Sequence, residues 1–259
     1  MMVSRAEITL DGRLTFVWTG GAGDPLLLLH GAWAGAEVHW APVWDRLAEE
    51  HRVVAPDFPG LAYDAPWVPR SFGEAVRWVE QVLDAIDAPR AWIVGNSFGA
   101  ALAARVASQS PARCLGLVLV DGGPPPAMPS AVRAVVKRWP LRPVVEEIFR
   151  RNAYGSSTLR RAFADPDKAP VEVREVVTQR RPRQFDVASE IILAGDPPVP
   201  PPQVRTLIVW GADDHLPGST VKTAQRLERS LPNAQLVTIP RAGHLPQLEQ
   251  PDEFIRAVL

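Results

Sequence analysis

Apolar runs bounded by polar turns recur along the chain and predict the strands of a sheet. At the start, apolar and polar residues alternate over residues 7–18 around Asp11-Gly12, which predicts an antiparallel β-hairpin at the edge of the sheet. Later runs lack this alternation and are typical of parallel strands buried on both faces. These strands are predicted over residues 25–30, 51–56, 92–94, 115–121, 204–210 and 234–239.

Helical patterns separate these strands. Residues 71–86 are amphipathic, with Ser71 as the predicted N-cap and Glu74 as its capping-box partner. Other helices are predicted over residues 43–50, 100–107, 219–230 and 246–259. Alternating strands and helices indicate an α/β fold with a mostly parallel central sheet flanked by helices.

The composition changes between residues 123 and 202. This segment holds 14 of the 27 prolines, and it contains no long apolar run that would form a buried strand. Helical spacing predicts short helices over residues 130–139, 141–152, 170–180 and 184–194, and the proline-rich run 197–202 predicts a stiff connector. The predicted organisation is a core of residues 1–122 and 203–259 interrupted by a helical insertion over residues 123–202, with a disordered linker as the alternative.

The charge balance gives no reason to expect a polyanionic partner. The net charge is -1 and charged residues make up 22% of the chain, so binding to nucleic acid or to an acidic membrane surface is not expected. The single cysteine, Cys114, cannot form an internal disulfide and is expected as a small buried residue. Without an apolar leader or a stretch of membrane-spanning length, we expect a cytoplasmic monomer or homodimer with no membrane span.

A strand, a sharp turn and a helix over residues 92–107 form the most informative stretch. In Gly95-Asn96-Ser97-Phe98-Gly99 the two glycines flank the serine at the spacing G-x-S-x-G. A serine held at strained backbone angles brings the residues two positions before and after it together, so only small side chains fit there. The pattern predicts an exposed nucleophile; an ordinary turn with a solvated serine is the alternative.

From end to end, the chain resembles the α/β-hydrolase family. Four blocks carry the resemblance, in the order that the family uses: His30-Gly31-Ala32-Trp33, Asp57-Phe58-Pro59-Gly60, the serine turn, and Trp210-Gly211-Ala212-Asp213-Asp214 with Ala242-Gly243-His244. The chain departs from the family pattern after the second block, at Leu61-Ala62-Tyr63-Asp64-Ala65. The resemblance implies an α/β-hydrolase fold in which the helical insertion is a lid over the active site.

The resemblance also implies a Ser-His-Asp catalytic triad. Ser97 would be the nucleophile and His244 the base that activates it, because a serine hydroxyl is a weak nucleophile at neutral pH. The family spacing selects Asp214 as the acid that orients His244. Asp213 would then be a loop residue, and Asp121, at the end of a strand, is the alternative acid that some relatives use.

Backbone N–H groups are expected to stabilise the oxyanion that forms during acyl transfer. The resemblance implies one donor from Phe98 and another from Ala32, with Trp33 as the competing choice for the second. Trp33, Trp67 and Trp139 are the tryptophans expected to line an apolar substrate pocket. We expect no cofactor and no metal site, because one cysteine and scattered histidines do not make a zinc or iron site.

The other histidines are not expected to act in catalysis. In the family, the histidine at the position of His30 lies beneath the following loop and fixes its shape; a catalytic role is the alternative. His39, His51 and His215 are expected on the surface or in loops, and His215 follows the acid closely enough to reach the mouth of the site.

Three functions are compatible with the sequence. The first is a serine hydrolase of the carboxylesterase type, acting on a small or medium ester or lactone through an acyl-enzyme. The second is a carbon–carbon bond hydrolase of the ring-fission type, because Gly95-Asn96-Ser97 resembles the nucleophile turn of that subfamily. Against it, Leu245 replaces the usual tryptophan, and Pro42 stands near the position of a loop asparagine. The third is a non-catalytic binding protein with this fold; relatives with an aspartate nucleophile are disfavoured by Ser97 itself.

The helical insertion carries an excess of positive charge, with 13 Lys and Arg against 9 Asp and Glu. One interpretation is a solvated basic face. The other is a pocket mouth that favours substrates with a remote carboxylate, because arginine pairs with carboxylates bidentately. In this second interpretation, the pocket mouth contains one or more of Arg133, Lys137, Arg138 and Arg142.

Overall fold

An eight-stranded sheet lies at the centre of the computed structural model, which describes residues 2–124, 142–179, 182–194 and 196–259. The strands are β1 Ser4–Leu10, β2 Arg13–Gly20, β3 Pro25–Leu29, β4 Arg52–Pro56, β5 Ala91–Asn96, β6 Cys114–Val120, β7 Thr206–Gly211 and β8 Ala234–Ile239. In space they follow the order β1-β2-β4-β3-β5-β6-β7-β8. All neighbours from β4 to β8 are parallel. The mostly parallel α/β fold predicted from the sequence is therefore confirmed.

The first two strands form the antiparallel hairpin that the alternating pattern predicts. Leu10 pairs with Arg13 across the turn Asp11-Gly12, whose two residues have φ angles of 49° and 75°. Asp-Gly is a favoured pair for a two-residue hairpin turn with positive φ at both positions. Since β2 also pairs antiparallel with β4, the hairpin forms an antiparallel edge on an otherwise parallel sheet.

Helices cover both faces of the sheet. Their bounds are α1 Ala36–Leu47, α2 Phe72–Ala85, α3 Phe98–Gln109, α4 Arg142–Ala153, α5 Ser156–Ala162, α6 Val171–Thr178, α7 Arg183–Leu193, α8 Val221–Ser230, α9 Pro246–Glu249 and α10 Pro251–Val258. In β5, Ile93 packs into the apolar cluster on one face and Val94 into the cluster on the other. Two buried faces explain why the parallel strands are apolar at consecutive positions.

The first helix begins seven residues before the predicted start at residue 43, so that prediction was wrong. Its first N–H group, at Ala36, donates to Asp57 Oδ1 over 2.8 Å. A helix leaves its first N–H groups without partners inside the helix, and here a carboxylate 21 positions away supplies one. Pro42 lies inside α1 and is exposed.

The second helix has the predicted N-terminal cap. Ser71 Oγ accepts from the Glu74 N–H over 3.2 Å. The Glu74 carboxylate reaches back to the Arg70 N–H over 2.9 Å, one residue before the position it has in a regular capping box. The cap fixes where α2 begins, and its apolar face packs on the sheet.

Four described helices, α4 to α7, lie in the segment between β6 and β7. Three match predicted helices; α5 is an additional one, and the helix predicted over residues 130–139 lies outside the described residues. Their apolar residues form a third buried cluster with Trp33, Leu216 and Leu245, which lie in loops that follow β3, β7 and β8. The segment thus packs against loops at the carboxyl edge of the parallel strands, where open α/β sheets bind ligands.

The end of the chain forms two short helices where a single one was predicted. They are separated at Gln250, and each has a proline in its first turn. Proline has no N–H group to donate and favours a first-turn position, so Pro251 begins a new helix. Within the described part of the chain, no helix combines the length and apolarity needed to cross a bilayer.

Candidate active site

Ser97 occupies the sharp turn between β5 and α3. Its φ and ψ angles are 54° and -113°, a conformation that costs energy for a residue other than glycine. The turn brings Gly95 and Gly99 so close that a Cβ on Gly95 would lie 2.2 Å from the Gly99 carbonyl oxygen, and one on Gly99 would lie 2.1 Å from that of Leu29. Small residues at both positions are therefore required.

A continuous hydrogen-bonded chain joins Ser97, His244 and Asp214. His244 Nε2 lies 2.8 Å from Ser97 Oγ, and His244 Nδ1 lies 2.7 Å from Asp214 Oδ2. Because the carboxylate can only accept, Nδ1 carries the proton and Nε2 presents a lone pair to the serine hydroxyl. The arrangement is that of a nucleophile, a base and an orienting acid.

The carboxylate that binds the His244 ring belongs to Asp214, the second of two adjacent aspartates. This is the residue that the family spacing implies. Its side chain is buried, and Oδ1 accepts from the Leu216 N–H over 3.0 Å. Asp213 is half-buried in the same loop, and its N–H donates to the Ala242 carbonyl. The hydrogen bond to the His244 ring therefore comes from Asp214 and not from Asp213.

The loop that carries His244 is held from three sides. The buried Asn96 side chain donates from Nδ2 to the His244 carbonyl over 3.0 Å, and the His244 N–H donates to the Ala162 carbonyl over 2.6 Å. Glu249 accepts from the Gly243 N–H through Oε2. Its other oxygen accepts from the N–H groups of Ala164 and Asp165, at 2.9 and 3.2 Å. Sequence reasoning missed Glu249, because its partners in the α5 region are more than 80 positions away.

Asp121 lies next to the acid but is bonded differently. Its carboxyl group accepts from the Gly211 N–H over 3.0 Å, and it is buried at the end of β6. Burial, and next the neighbouring Asp214 carboxylate, raise the pKa of Asp121 well above its usual range. Burial thus favours the neutral form of Asp121 beside Asp214.

Asp121, Asp214 and His244 place ligand atoms within 4.8 Å of one another. Asp214 Oδ2 and His244 Nδ1 are bonded to each other, and burial favours the neutral form of Asp121. Metal ligands have to be deprotonated. The hydrogen-bonded chain thus explains this cluster better than a metal site does.

Two main-chain N–H groups near Ser97 are candidates for the oxyanion site. Phe98 is the first residue of α3, so its N–H has no acceptor within the helix. Ala32 lies in the loop after β3, and it lines the same cleft as Ser97. Trp33, the competing choice, lines the cleft too, and its ring lies 5.4 Å from that of His244.

His30 takes the structural position expected for it. The buried ring donates from Nδ1 to the Gly31 carbonyl over 2.7 Å, and its Nε2 accepts from the Phe58 N–H over 2.8 Å. Both ring nitrogens are occupied, so His30 ties the loop after β3 to the loop after β4. Burial lowers its pKa, and the ring is neutral.

His39 was expected at the surface or in a loop, and this was wrong. It lies in α1, is 1% exposed and lines the cleft beside Ser97. Its Nδ1 donates to the Gly35 carbonyl over 3.0 Å, so a neutral imidazole can be buried there with one nitrogen satisfied. Burial, reinforced by His30, lowers its pKa to about 3.

The remaining histidines lie away from the hydrogen-bonded chain. His51 is half-buried after α1. His215 is exposed and lines a different cleft, together with Arg160, Lys168 and Arg241. Cys114 is buried at the start of β6, as expected, and burial raises the pKa of its thiol to about 11.

The cleft at Ser97 has a volume of about 420 Å³ and is mostly apolar. Among the described residues that line it, none is a lysine or an arginine. Trp33 and Trp210 line it, whereas Trp67 lines a separate cleft beside the hairpin. Trp139, Arg133, Lys137 and Arg138 lie outside the described residues, as does the side chain of Arg142.

Comparison with known proteins shows the family of the chain. The sequence profile of the Alpha/beta hydrolase family matches residues 26–257. A 2-hydroxy-6-oxo-2,4-heptadienoate hydrolase of Pseudomonas putida is 31% identical, over 92% of this chain and 88% of that protein. A pimeloyl-[acyl-carrier protein] methyl ester esterase of Nitrosospira multiformis is 26% identical, over 94% of this chain and 96% of that protein. A solved serine hydrolase of Cycloclasticus zankles, 21% identical, has the same fold with a TM-score of 0.73 and covers 98% of this chain and 96% of its own.

Proposed function

Because the chain belongs to the alpha/beta hydrolase family, we propose that it is a serine hydrolase whose nucleophile is Ser97. The single observation that carries this proposal is the hydrogen-bonded chain from Ser97 Oγ through His244 to Asp214, with distances of 2.8 and 2.7 Å. A binding protein would have no need to hold a serine at φ 54° against the lone pair of a buried imidazole.

In the proposed mechanism, an acyl group passes through the enzyme in two steps. Ser97 Oγ attacks the carbonyl carbon of the substrate while its proton moves to His244 Nε2. The carbonyl oxygen becomes an oxyanion that accepts from the N–H groups of Phe98 and Ala32, each such donor being worth about 3 kcal/mol of barrier. The bond to the leaving group then breaks, and His244 gives its proton to that group. Water, activated by the same imidazole, releases the acid and restores Ser97.

The relatives favour a carbon–carbon bond as the one that is cleaved. The 31% identical relative is named for a 2-hydroxy-6-oxo-dienoate, and a second relative, 27% identical, is a 2-hydroxymuconate semialdehyde hydrolase. We therefore propose a ring-fission-type dienoate as the first substrate class, ahead of the ester expected first from the sequence. In this reaction the leaving group is a carbon atom, which takes up a proton as the bond breaks.

A carboxylic ester is the second candidate substrate, and two observations favour it. A dienoate carries a carboxylate, yet no described residue lining the cleft is cationic. Leu245, next to the base, is an aliphatic residue fully buried in the cluster with Trp33 and Leu216, so it presents no polar atom to a substrate. An uncharged ester with an apolar acyl group suits such a cleft.

Initial rates on purified protein decide between the two classes. The purified enzyme is given 2-hydroxy-6-oxohepta-2,4-dienoate in one series and p-nitrophenyl esters of increasing acyl length in another, with Ser97→Ala as the blank. A kcat/KM for the dienoate above that for every ester supports carbon–carbon cleavage, and the reverse order supports the esterase. Measuring kcat/KM for a carboxylate-bearing ester and for its neutral analogue at low and high salt tests whether basic residues of segment 123–202 favour a substrate carboxylate. Salt screens charges, so a preference for the carboxylate should weaken at high salt.

We further propose that the segment of α4 to α7 acts as a lid. Phe149, Asn152 and Tyr154, from α4 and just after it, line the same cleft as Ser97. Two hydrogen bonds join the segment to the part of the chain that carries His244. The His244 N–H donates to the Ala162 carbonyl, and the Ala164 N–H donates to the Glu249 carboxylate. Enlarging the cleft by Phe149→Ala should therefore shift the preferred acyl chain to a longer one, whereas Ile148→Ala, on the exposed side of the same helix, should leave it unchanged.

A further inference from the structure

Ser219 touches both the acid and the base of the hydrogen-bonded chain. Its Oγ lies 2.5 Å from Asp214 Oδ2 and 3.3 Å from His244 Nδ1. Those two atoms are 2.7 Å from each other, so the three atoms form a closed triangle. One carboxylate oxygen therefore accepts from two donors, the serine hydroxyl and the imidazole N–H.

A tight turn fixes the position of this hydroxyl. The Ser219 N–H donates to the Leu216 carbonyl over 2.9 Å, with Pro217 and Gly218 between them. Gly218 has φ 83°, and proline followed by a glycine with positive φ is the signature of a type II turn. At its other end, the Leu216 N–H donates to Asp214 Oδ1. The turn thus binds both oxygens of one carboxylate, one through the main chain and one through Ser219.

We propose that Ser219 is a positioning residue of the active site, which sets the orientation of Asp214 and the strength with which Asp214 binds the protonated His244 ring. This inference rests on the proposed serine hydrolase function. Ser219 touches the acid and not the reacting atoms, so it acts through Asp214 and His244.

The hydroxyl affects the base by competing for Asp214 Oδ2. The other titratable groups near this pair are Asp121, next to Asp214, and His39, which lines the same cleft as His244. A hydrogen bond donated to a carboxylate stabilises its charge and makes that oxygen a weaker acceptor for a second donor. Without the hydroxyl, Asp214 would bind the imidazolium more tightly, so the reaction of Ser97 should require a higher pH. Asp214 would also lose one of the contacts that fix its side chain, so the ring would be less well aligned with Ser97.

The test measures how fast a fluorophosphonate labels Ser97 at pH values from 4.5 to 9, which requires no knowledge of the natural substrate. Ser219→Ala should raise the pH of half-maximal labelling by about half a unit, which corresponds to about 0.7 kcal/mol. It should also lower the plateau rate about fivefold, because the ring is less well aligned with Ser97. Ser219→Thr keeps the hydroxyl and should restore both values. Ser230→Ala is the matched control, because that exposed hydroxyl donates to the Leu227 carbonyl of its own helix.

Each outcome has a separate meaning. A parent protein that is not labelled overturns the proposed function and this inference with it. A labelled parent with an unchanged Ser219→Ala profile overturns the inference alone. A lower plateau with an unshifted midpoint also overturns it, since a purely structural contact would lower the rate without changing the pH dependence. If Ser219→Ala does not fold, Ser219→Cys, a weaker donor of similar size, should show an intermediate rise in the midpoint; an unmoved midpoint overturns the inference.

Discussion

The side-chain amide of Asn96 donates a 3.0 Å hydrogen bond to the main-chain carbonyl of His244. Its Nδ2 also donates to the Val120 carbonyl over 3.2 Å, so one buried residue ties the serine turn to the base loop and to β6. Both amide hydrogens are occupied by carbonyl oxygens, which fixes the orientation of the amide. The nucleophile and the base, 147 positions apart in sequence, are therefore held together by the residue directly before the nucleophile.

Replacing Asn96 by alanine should destabilise the protein and misplace the base. The buried His244 carbonyl would lose a donor, whereas the Val120 carbonyl would keep the one from the Ser97 N–H. We therefore expect the free energy of unfolding to fall by about 1–3 kcal/mol in urea denaturation. Asn233→Ala, which removes an exposed amide, is the matched control. Equal stability of the two variants would contradict the role assigned to Asn96.

Asp121→Asn should make the protein less sensitive to high pH. An unfolded aspartate loses its proton near pH 4, whereas burial and Asp214 keep the folded Asp121 protonated well above that. Between the unfolded and the folded pKa, only the folded state holds the proton. The free energy of unfolding of the parent therefore falls as the pH rises, by up to about 1.4 kcal/mol per pH unit. The neutral amide has no such dependence, so the stability of the variant relative to the parent should increase as the pH rises above about 4.

Urea unfolding at each pH measures this difference, with Asp213→Asn as the control at the adjacent carboxylate. Free energies that stay parallel for parent and Asp121→Asn across the whole range would show that Asp121 is ionised in the folded protein.

His39→Phe should make the stability of the protein less sensitive to low pH. The unfolded residue binds a proton near pH 6.5, but the buried ring does so only near pH 3. Between these values only the unfolded chain is protonated, so the parent loses stability as the pH falls, again by up to about 1.4 kcal/mol per unit. The phenylalanine variant loses the bond to Gly35 but should lose less stability on acidification. Exposed His215→Gln serves as control, and an identical slope for His39→Phe and parent would contradict the buried neutral ring.

The two adjacent aspartates should differ sharply in their effect on turnover. Asp214→Asn removes the acceptor that holds the His244 tautomer, and losses of about 10⁴ in turnover follow from such a change. Asp213→Asn leaves the His244 contact in place and should stay within about tenfold of the parent. Assaying the two purified variants side by side with one substrate checks this. An inactive Asp213→Asn variant would contradict the assignment of the orienting acid to Asp214.

Much of the fold and part of the site could be predicted from local sequence signals. Consecutive apolar residues predicted the buried strands, and Gly95 and Gly99 predicted the serine turn because no larger residue fits there. The start of α1 at Ala36 could not be predicted, since its capping carboxylate, Asp57, is 21 positions away. His39 has no sequence signal that separates a buried neutral ring from a surface one.

Contacts between distant loops account for what was missed around the base. Glu249 and Ser219 look like ordinary polar residues in the sequence. Glu249 binds Ala164 and Asp165, which lie in the segment between β6 and β7, and Ser219 reaches His244 only because the loops after β7 and β8 meet. Ser219 did have a local signal, because Leu216-Pro217-Gly218-Ser219 is typical of a type II turn. That signal predicts the turn but not the carboxylate that it faces.

Covalent labelling of Ser97 by a fluorophosphonate, followed by intact-protein mass spectrometry, tests the central proposal most directly. Ser97 Oγ would displace fluoride from phosphorus, and the parent should gain the mass of one adduct, located on the peptide that contains Ser97. Folded Ser97→Ala should gain none, and His244→Gln should react far more slowly because it lacks the base. A parent that stays unlabelled, or a folded Ser97→Ala protein labelled as fast as the parent, would contradict the proposal that Ser97 is an activated nucleophile.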